Sequence, residues 1–154
     1  MYSSAAYCAY ETVDNWNCGL PCSNNPGLTR IRRYNNPDRR TFAYSGYVPS
    51  QNRIVLAFRG TNGADFQNWV TNIDAFRTSF LTANGGQVHR GFLNAYNAIA
   101  GNIRSELRLL NHTFPGAEIL VTGHSLGGAL ATIAAADIRG SLRLPNRLRV
   151  MTFG

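Results

Sequence analysis

The 154 residues are enough for one domain with a substantial core, and a 44% apolar, 15% charged composition excludes a disordered or fibrous chain. No apolar run approaches the ~20 residues needed to cross a bilayer, and the opening MYSSAAYCAY has neither the basic start nor the long apolar stretch of a signal peptide. The net charge of +7 is carried entirely by arginine, clustered at Arg30, Arg32, Arg33, Arg39, Arg40 and again at Arg139, Arg143, Arg147, Arg149; with no nucleic-acid-binding motif beside it, this reads as a solvated basic surface, and no nucleic-acid partner is expected.

In chain order, Ser3 to Tyr10 reads as a short helix. Asp14 to Arg40, rich in Asn, Pro and Gly, reads as a surface segment stapled by cysteines. Cys18 and Cys22 flank a GLP spacer, which suits a small disulfide loop or half of a metal site. A zinc site needs about four ligands, and no second Cys/His pair has matching spacing, so a disulfide is favoured, with no metal and no cofactor. Cys8 is left over.

Thr41 to Val48 alternates enough for a strand, PSQN is a turn, and RIVLAF (Arg53 to Phe58) is a short buried strand. Asn72 to Leu81 is strand-like, and TANGG breaks it. Gly91 to Leu110 is a helix with Phe92, Ala95, Tyr96, Ile99, Ile103, Leu107 and Leu110 on one face. Glu118 to Thr122 is a buried strand, Leu126 to Ile138 a helix, and Arg149 to Phe153 a last apolar strand, expected at an uncovered edge. Strands alternating with helices predict an α/β protein, one domain over 1–154, with a mostly parallel central sheet and helices on both faces.

ILVTGHSLGGALA carries the chemistry. A Ser raised above a sheet between a strand and a helix needs a tight, strained turn, and Gly123 and Gly127 remove the Cβ atoms that would collide there. The following helix points its free N–H groups at Ser125, so the Leu126 N–H can donate to an oxyanion formed in acyl transfer. A second donor is expected from another strand end. IVLAFRGTNG supplies one, breaking at Gly60 and offering the N–H and hydroxyl of Thr61.

FRGT, a loop with NW, VHRGF, VTGHSLGGALA and VMTFG, in this order, resemble the fungal-type class 3 lipases. The resemblance covers nearly the whole chain. It implies an α/β-hydrolase fold, action on triacylglycerols or related lipid esters at a lipid–water interface, Ser125 as nucleophile, and Thr61 and Leu126 as the oxyanion hole. It also implies that NGADFQNW (62–69) is a lid whose Phe66 and Trp69 meet lipid; read from the residues alone, the same segment is equally a short helix with core aromatics. Family members bridge the Cys at the AAYC position to one near the C-terminus, which accounts for Cys8. Together with the cysteines, the resemblance implies a secreted protein.

A serine nucleophile needs a base held by a third group, in the order Ser, Asp, His in this fold. After Ser125 there is only Asp137, read as a surface helix charge, and no His. His124 sits in the turn itself, where consecutive side chains diverge. His89 resembles a family position that orders structure near the site, and His112 reads as a loop residue in the sequon at Asn111. The sequence therefore reads as an incomplete, C-terminally truncated lipase, inactive on its own and part of an active parent. The alternatives are an esterase for soluble or plant-wall esters and a non-catalytic lipase-like interaction protein.

Overall fold

β-Branched and aromatic runs build the frame that holds the Ser turn. The computed structural model describes residues 1–61, 76–80 and 86–154. Its main sheet has five strands: β1 (Thr29–Asn36), β2 (Thr41–Val48), β3 (Arg53–Phe58), β6 (Glu118–His124) and β7 (Leu148–Phe153), in the spatial order β1-β2-β3-β6-β7. The first three form an antiparallel meander, and β3, β6 and β7 are mutually parallel. The sheet is thus mixed, and the expected parallel arrangement is concentrated in the three strands beside the Ser turn. β4 (Arg77–Ser79) and β5 (Gln87–His89) pair antiparallel in a separate ribbon.

Helices cover both faces, as expected, but unequally. On one face lie α4 (Arg90–Thr113) and α5 (Leu126–Asp137), against Ile54, Leu56, Phe58, Ile119 and Val121. On the other lie the short α1 (Tyr2–Ala5), α2 (Tyr10–Asp14) and α3 (Leu20–Ser23), against Phe42, Tyr44, Val55, Ala57 and Leu120. Burial from both sides is why RIVLAF shows no alternation. Each large side chain buried this way contributes roughly 1.5–3 kcal/mol.

Several expectations are corrected. Ser3 to Tyr10 is not one helix: α1 and α2 are separated where Ala9 is extended at φ −61, ψ 145 and becomes the N-cap of α2. The segment taken as surface coil contains β1, whose pattern is masked because Tyr34 is its only buried residue and its arginines face solvent. A bulge with Arg30 at φ 51 breaks its register between Thr29 and Arg32. Of the strand expected over Asn72 to Leu81, Arg77–Ser79 is observed, while 72–75 and 81 lie outside the described residues.

His112 is in the last turn of α4, not in a loop. The helix runs to Thr113, where the Phe114 N–H donates to Leu110 O at 2.8 Å. Asp137 is not a surface charge. It is fully buried, accepting from Tyr96 Oη at 2.6 Å and from Arg104 Nε and Nη2 at 2.8 and 2.9 Å. Burial alone would raise its carboxyl pKa, but the hydrogen bonds from Arg104, Tyr96 and Ser141 outweigh that and hold it below the usual range.

Candidate active site

Parallel pairing places the site. Phe58 of β3 sits opposite Gly123 of β6, so both strands end side by side at one edge of the sheet. Residues just beyond two adjacent parallel strands are thereby brought together, the place where open α/β sheets bind ligands.

After β6 the chain reverses sharply at Ser125, which has φ 56 and ψ −127, a strained conformation for a residue with a Cβ. It is pinned on both sides: the Ser125 N–H donates to Phe153 O of β7 at 2.8 Å, and Ser125 O accepts from the Gly128 N–H at 2.8 Å. Helix α5 starts immediately, so its unsatisfied first-turn N–H groups and positive dipole end lie at the serine. The glycines are required by close approach. A Cβ on Gly123 would enter the backbone of Gly127, and a Cβ on Gly127 would enter the carbonyl of Phe58 at the end of β3.

The β3 end meets the turn at Gly60. A Cβ there would lie 3.3 Å from Ser125 Cβ and 2.5 Å from both His124 O and Tyr7 Oη. Thr61, the next residue, has a buried hydroxyl with no hydrogen-bond partner, one of two such side-chain atoms among the described residues. A buried hydroxyl without a partner costs stability unless something else is to bond it.

Gly60, which precedes Thr61, and Ser125, which precedes Leu126, are therefore brought together by β3, β6 and α5, so the three residues chosen from the sequence flank one contact. Phe66 and Trp69, the expected lid residues, lie outside the described residues. Cys18 and Cys22 are disulfide-bonded, with Cα atoms 5.2 Å apart, and Cys8 is a free thiol. His89 caps α4, its Nδ1 accepting from the Gly91 N–H at 3.1 Å.

Tyr7 is the residue that sequence reasoning missed. Its hydroxyl accepts from the Gly60 N–H at 3.2 Å and bonds His124 Nδ1 at 2.9 Å. One oxygen thus ties the β3 end to the Ser turn. Burial raises its pKa, offset in part by the Gly60 N–H and the Arg59 charge, so it remains a neutral phenol able to donate to His124. No local pattern marks it, because the link joins residues 117 positions apart.

The His124 ring is exposed and engaged by Tyr7. The Asp137 carboxylate is enclosed by Tyr96 and Arg104. Among the described residues neither is set to serve Ser125 as a base. No helix among the described residues is long and apolar enough to cross a membrane, and no cluster of three or more metal-ligating side chains is found among them.

The chain resembles known proteins along its length. Residues 55–154 match the family model for lipase (class 3). A secreted mono- and diacylglycerol lipase of Fusarium solani is 30% identical over 144 residues, which is 90% of this chain and 43% of that protein. A lipase of Rhizomucor miehei is 29% identical over 88% of this chain and 37% of its own length. The solved structure of lipase II from Rhizopus niveus superposes with a TM-score of 0.87 at 28% identity, covering 97% of this chain and 57% of that one. The chain thus spans less than half the length of these two curated relatives. With residues 55–154 matching the family model and an α/β-hydrolase frame shared with fungal lipases, the chain belongs to the class 3 lipase family.

Proposed function

We propose that this chain carries the nucleophile and the oxyanion hole of a serine hydrolase that cleaves lipid carboxylic esters, acylglycerols first among them. The observation that carries the reading is the meeting of two strand ends: a strained Ser125 packed against Gly60, next to an unpartnered Thr61 hydroxyl. Ser125 Oγ attacks the ester carbonyl carbon and gives up its proton to a base. The carbonyl oxygen becomes an oxyanion bonded by the Leu126 and Thr61 N–H groups, with the Thr61 hydroxyl as a third donor. The C–O bond then breaks, the alcohol leaves with the proton, and water releases the fatty acid from acyl-Ser125.

The base and its orienting acid belong to residues other than those described here, because His124 and Asp137 are committed elsewhere. The 154-residue chain alone is therefore expected to turn over slowly, with only the residual catalysis that binding and oxyanion donors supply. The homologues named as secreted, together with the disulfide, support a secreted protein. A fluorophosphonate probe is expected to label Ser125 slowly in this chain and rapidly in a longer chain that continues as its relatives do. Rapid labelling of the 154-residue chain counts against the missing base, and no labelling of the longer chain counts against the hydrolase reading.

A further inference from the structure

The connection from α5 into β7, residues 138–149, reads IRGSLRLPNRLR and holds four arginines, no acid and no aromatic residue. It lies at the end of the sheet away from Ser125, beside Glu118 at the start of β6, roughly 20 Å along that strand from His124. We propose that Arg139, Arg143, Arg147 and Arg149 form a docking surface for an extended acidic peptide segment of a partner protein.

The backbone of this segment is pinned, while its charges are left largely unmatched. Ile138 is buried, and Leu142, Leu144 and Leu148 pack partly buried against the core under α4 and α5. Asn146 is buried too, its Nδ2 donating to Ala117 O at 2.7 Å. The Ile119 N–H donates to Arg147 O at 2.8 Å, and the Arg143 N–H to Ile138 O at 3.0 Å. Between these anchors the four arginines are exposed. Among the described residues none of them hydrogen-bonds a carboxylate. Arg147 and Arg149 approach Glu118 Oε2 at 3.6 and 3.7 Å, beyond hydrogen-bond range, while Arg53 holds the other oxygen at 2.9 Å through both Nε and Nη2. Arg143 gives one long bond, to Gly140 O at 3.4 Å. Four guanidiniums on a fixed backbone therefore keep most of their donors for a ligand.

Guanidinium forks match carboxylates in shape and bond them through two N–H groups at once. At side chains this exposed a single ion pair gains little, so recognition needs several carboxylates presented together, as an acidic peptide presents them. Other polyanions fit less well. The segment has no aromatic ring on which a nucleic-acid base can stack. Its leucines pack against the core, which leaves no apolar side chain to seat in a bilayer. A membrane bound here would also meet the end of the molecule opposite Ser125, whereas a peptide docked here leaves that serine open. The docking surface does not depend on the hydrolase reading.

The test is fluorescence anisotropy of a labelled octaglutamate peptide titrated with the 154-residue chain at neutral pH and fixed ionic strength. Octaglutamine, an oligothymidylate of equal charge and phosphatidylglycerol vesicles serve as comparison probes. Arg147→Gln with Arg149→Gln is expected to weaken octaglutamate binding roughly tenfold. Arg139→Gln with Arg143→Gln, clear of Glu118, is expected to weaken it several-fold. The control, Arg39→Gln with Arg77→Gln, removes the same charge from exposed positions elsewhere on the surface and is expected to change it by less than about twofold. An equal loss in the control shows attraction to the net charge of +7 alone and overturns the proposal, as does octaglutamate binding no better than octaglutamine. Tighter binding of the oligothymidylate or the vesicles through the same arginines overturns the peptide assignment. Fluorophosphonate labelling of Ser125 in a longer chain reports on the hydrolase reading separately, so either can fail alone.

Discussion

Tyr7 shows how much one hydroxyl can organise. It bonds the two segments that carry the proposed oxyanion donors, at 3.2 Å to Gly60 and 2.9 Å to His124. Tyr7→Phe keeps the ring and removes those bonds, leaving the Gly60 N–H without its acceptor. A loss of about 1 kcal/mol in stability is expected, with a disproportionate fall, roughly tenfold, in the rate of Ser125 phosphonylation, because a small displacement of the donors weakens transition-state stabilisation. Melting and labelling rates measured together check this; an unchanged labelling rate refutes the role. Gly127→Ala acts on packing instead. Its new methyl meets the Phe58 carbonyl, and the adjustment should cost about 1–3 kcal/mol, seen as a lower melting temperature. The glycine requirement was readable in the sequence because it follows from the turn itself. Tyr7 was not, because its partners come from the far side of the fold.

At the scale of elements, β3, β6, α4 and α5 announced themselves, since their apolar residues follow the period each structure needs. β1 did not, because only Tyr34 among its side chains is buried, leaving no alternation to detect. Asp137 was misread for a related reason: a lone acid on a helix looks solvent-facing until its partners arrive from another helix, as Tyr96 and Arg104 of α4 do. This link joins α4 to α5 and steadies the helix that begins at Ser125. Asp137→Asn sets an amide N–H against the guanidinium and leaves the Arg104 charge unpaired, for an expected loss of about 3 kcal/mol. The same link makes stability depend on pH. The folded carboxyl pKa lies below the unfolded value of about 3.9. Its contribution is therefore complete above that pH and is lost as pH falls through the folded value. Chemical denaturation from neutral pH downward should show a loss of stability below about pH 4 that shrinks in Asp137→Asn, and an equal acid sensitivity in both proteins is the contrary result.

At the scale of the whole molecule, the sheet is protected unevenly. β2 and β3 are buried from both sides, whereas β7 lies at the edge with Val150 42% and Met151 44% exposed. These neighbours in sequence point to opposite faces, so neither face of β7 is fully covered among the described residues. The sequence anticipated this edge from strand order, while the exposure of both faces needed the structure. An exposed apolar edge strand is a template for pairing with another chain. What opposes it is the net charge of +7, which repels like molecules. Charge repulsion is screened by salt and edge pairing is not, so the 154-residue chain should associate with rising concentration, and more readily as salt is added. Replacing Val150 and Met151 with Lys puts charge on both faces of the edge and should suppress this at every salt concentration. Sedimentation velocity across a series of protein and salt concentrations reads both effects. A wild-type chain that stays monomeric in high salt, or a double variant that associates just as strongly, shows that the edge does not govern association.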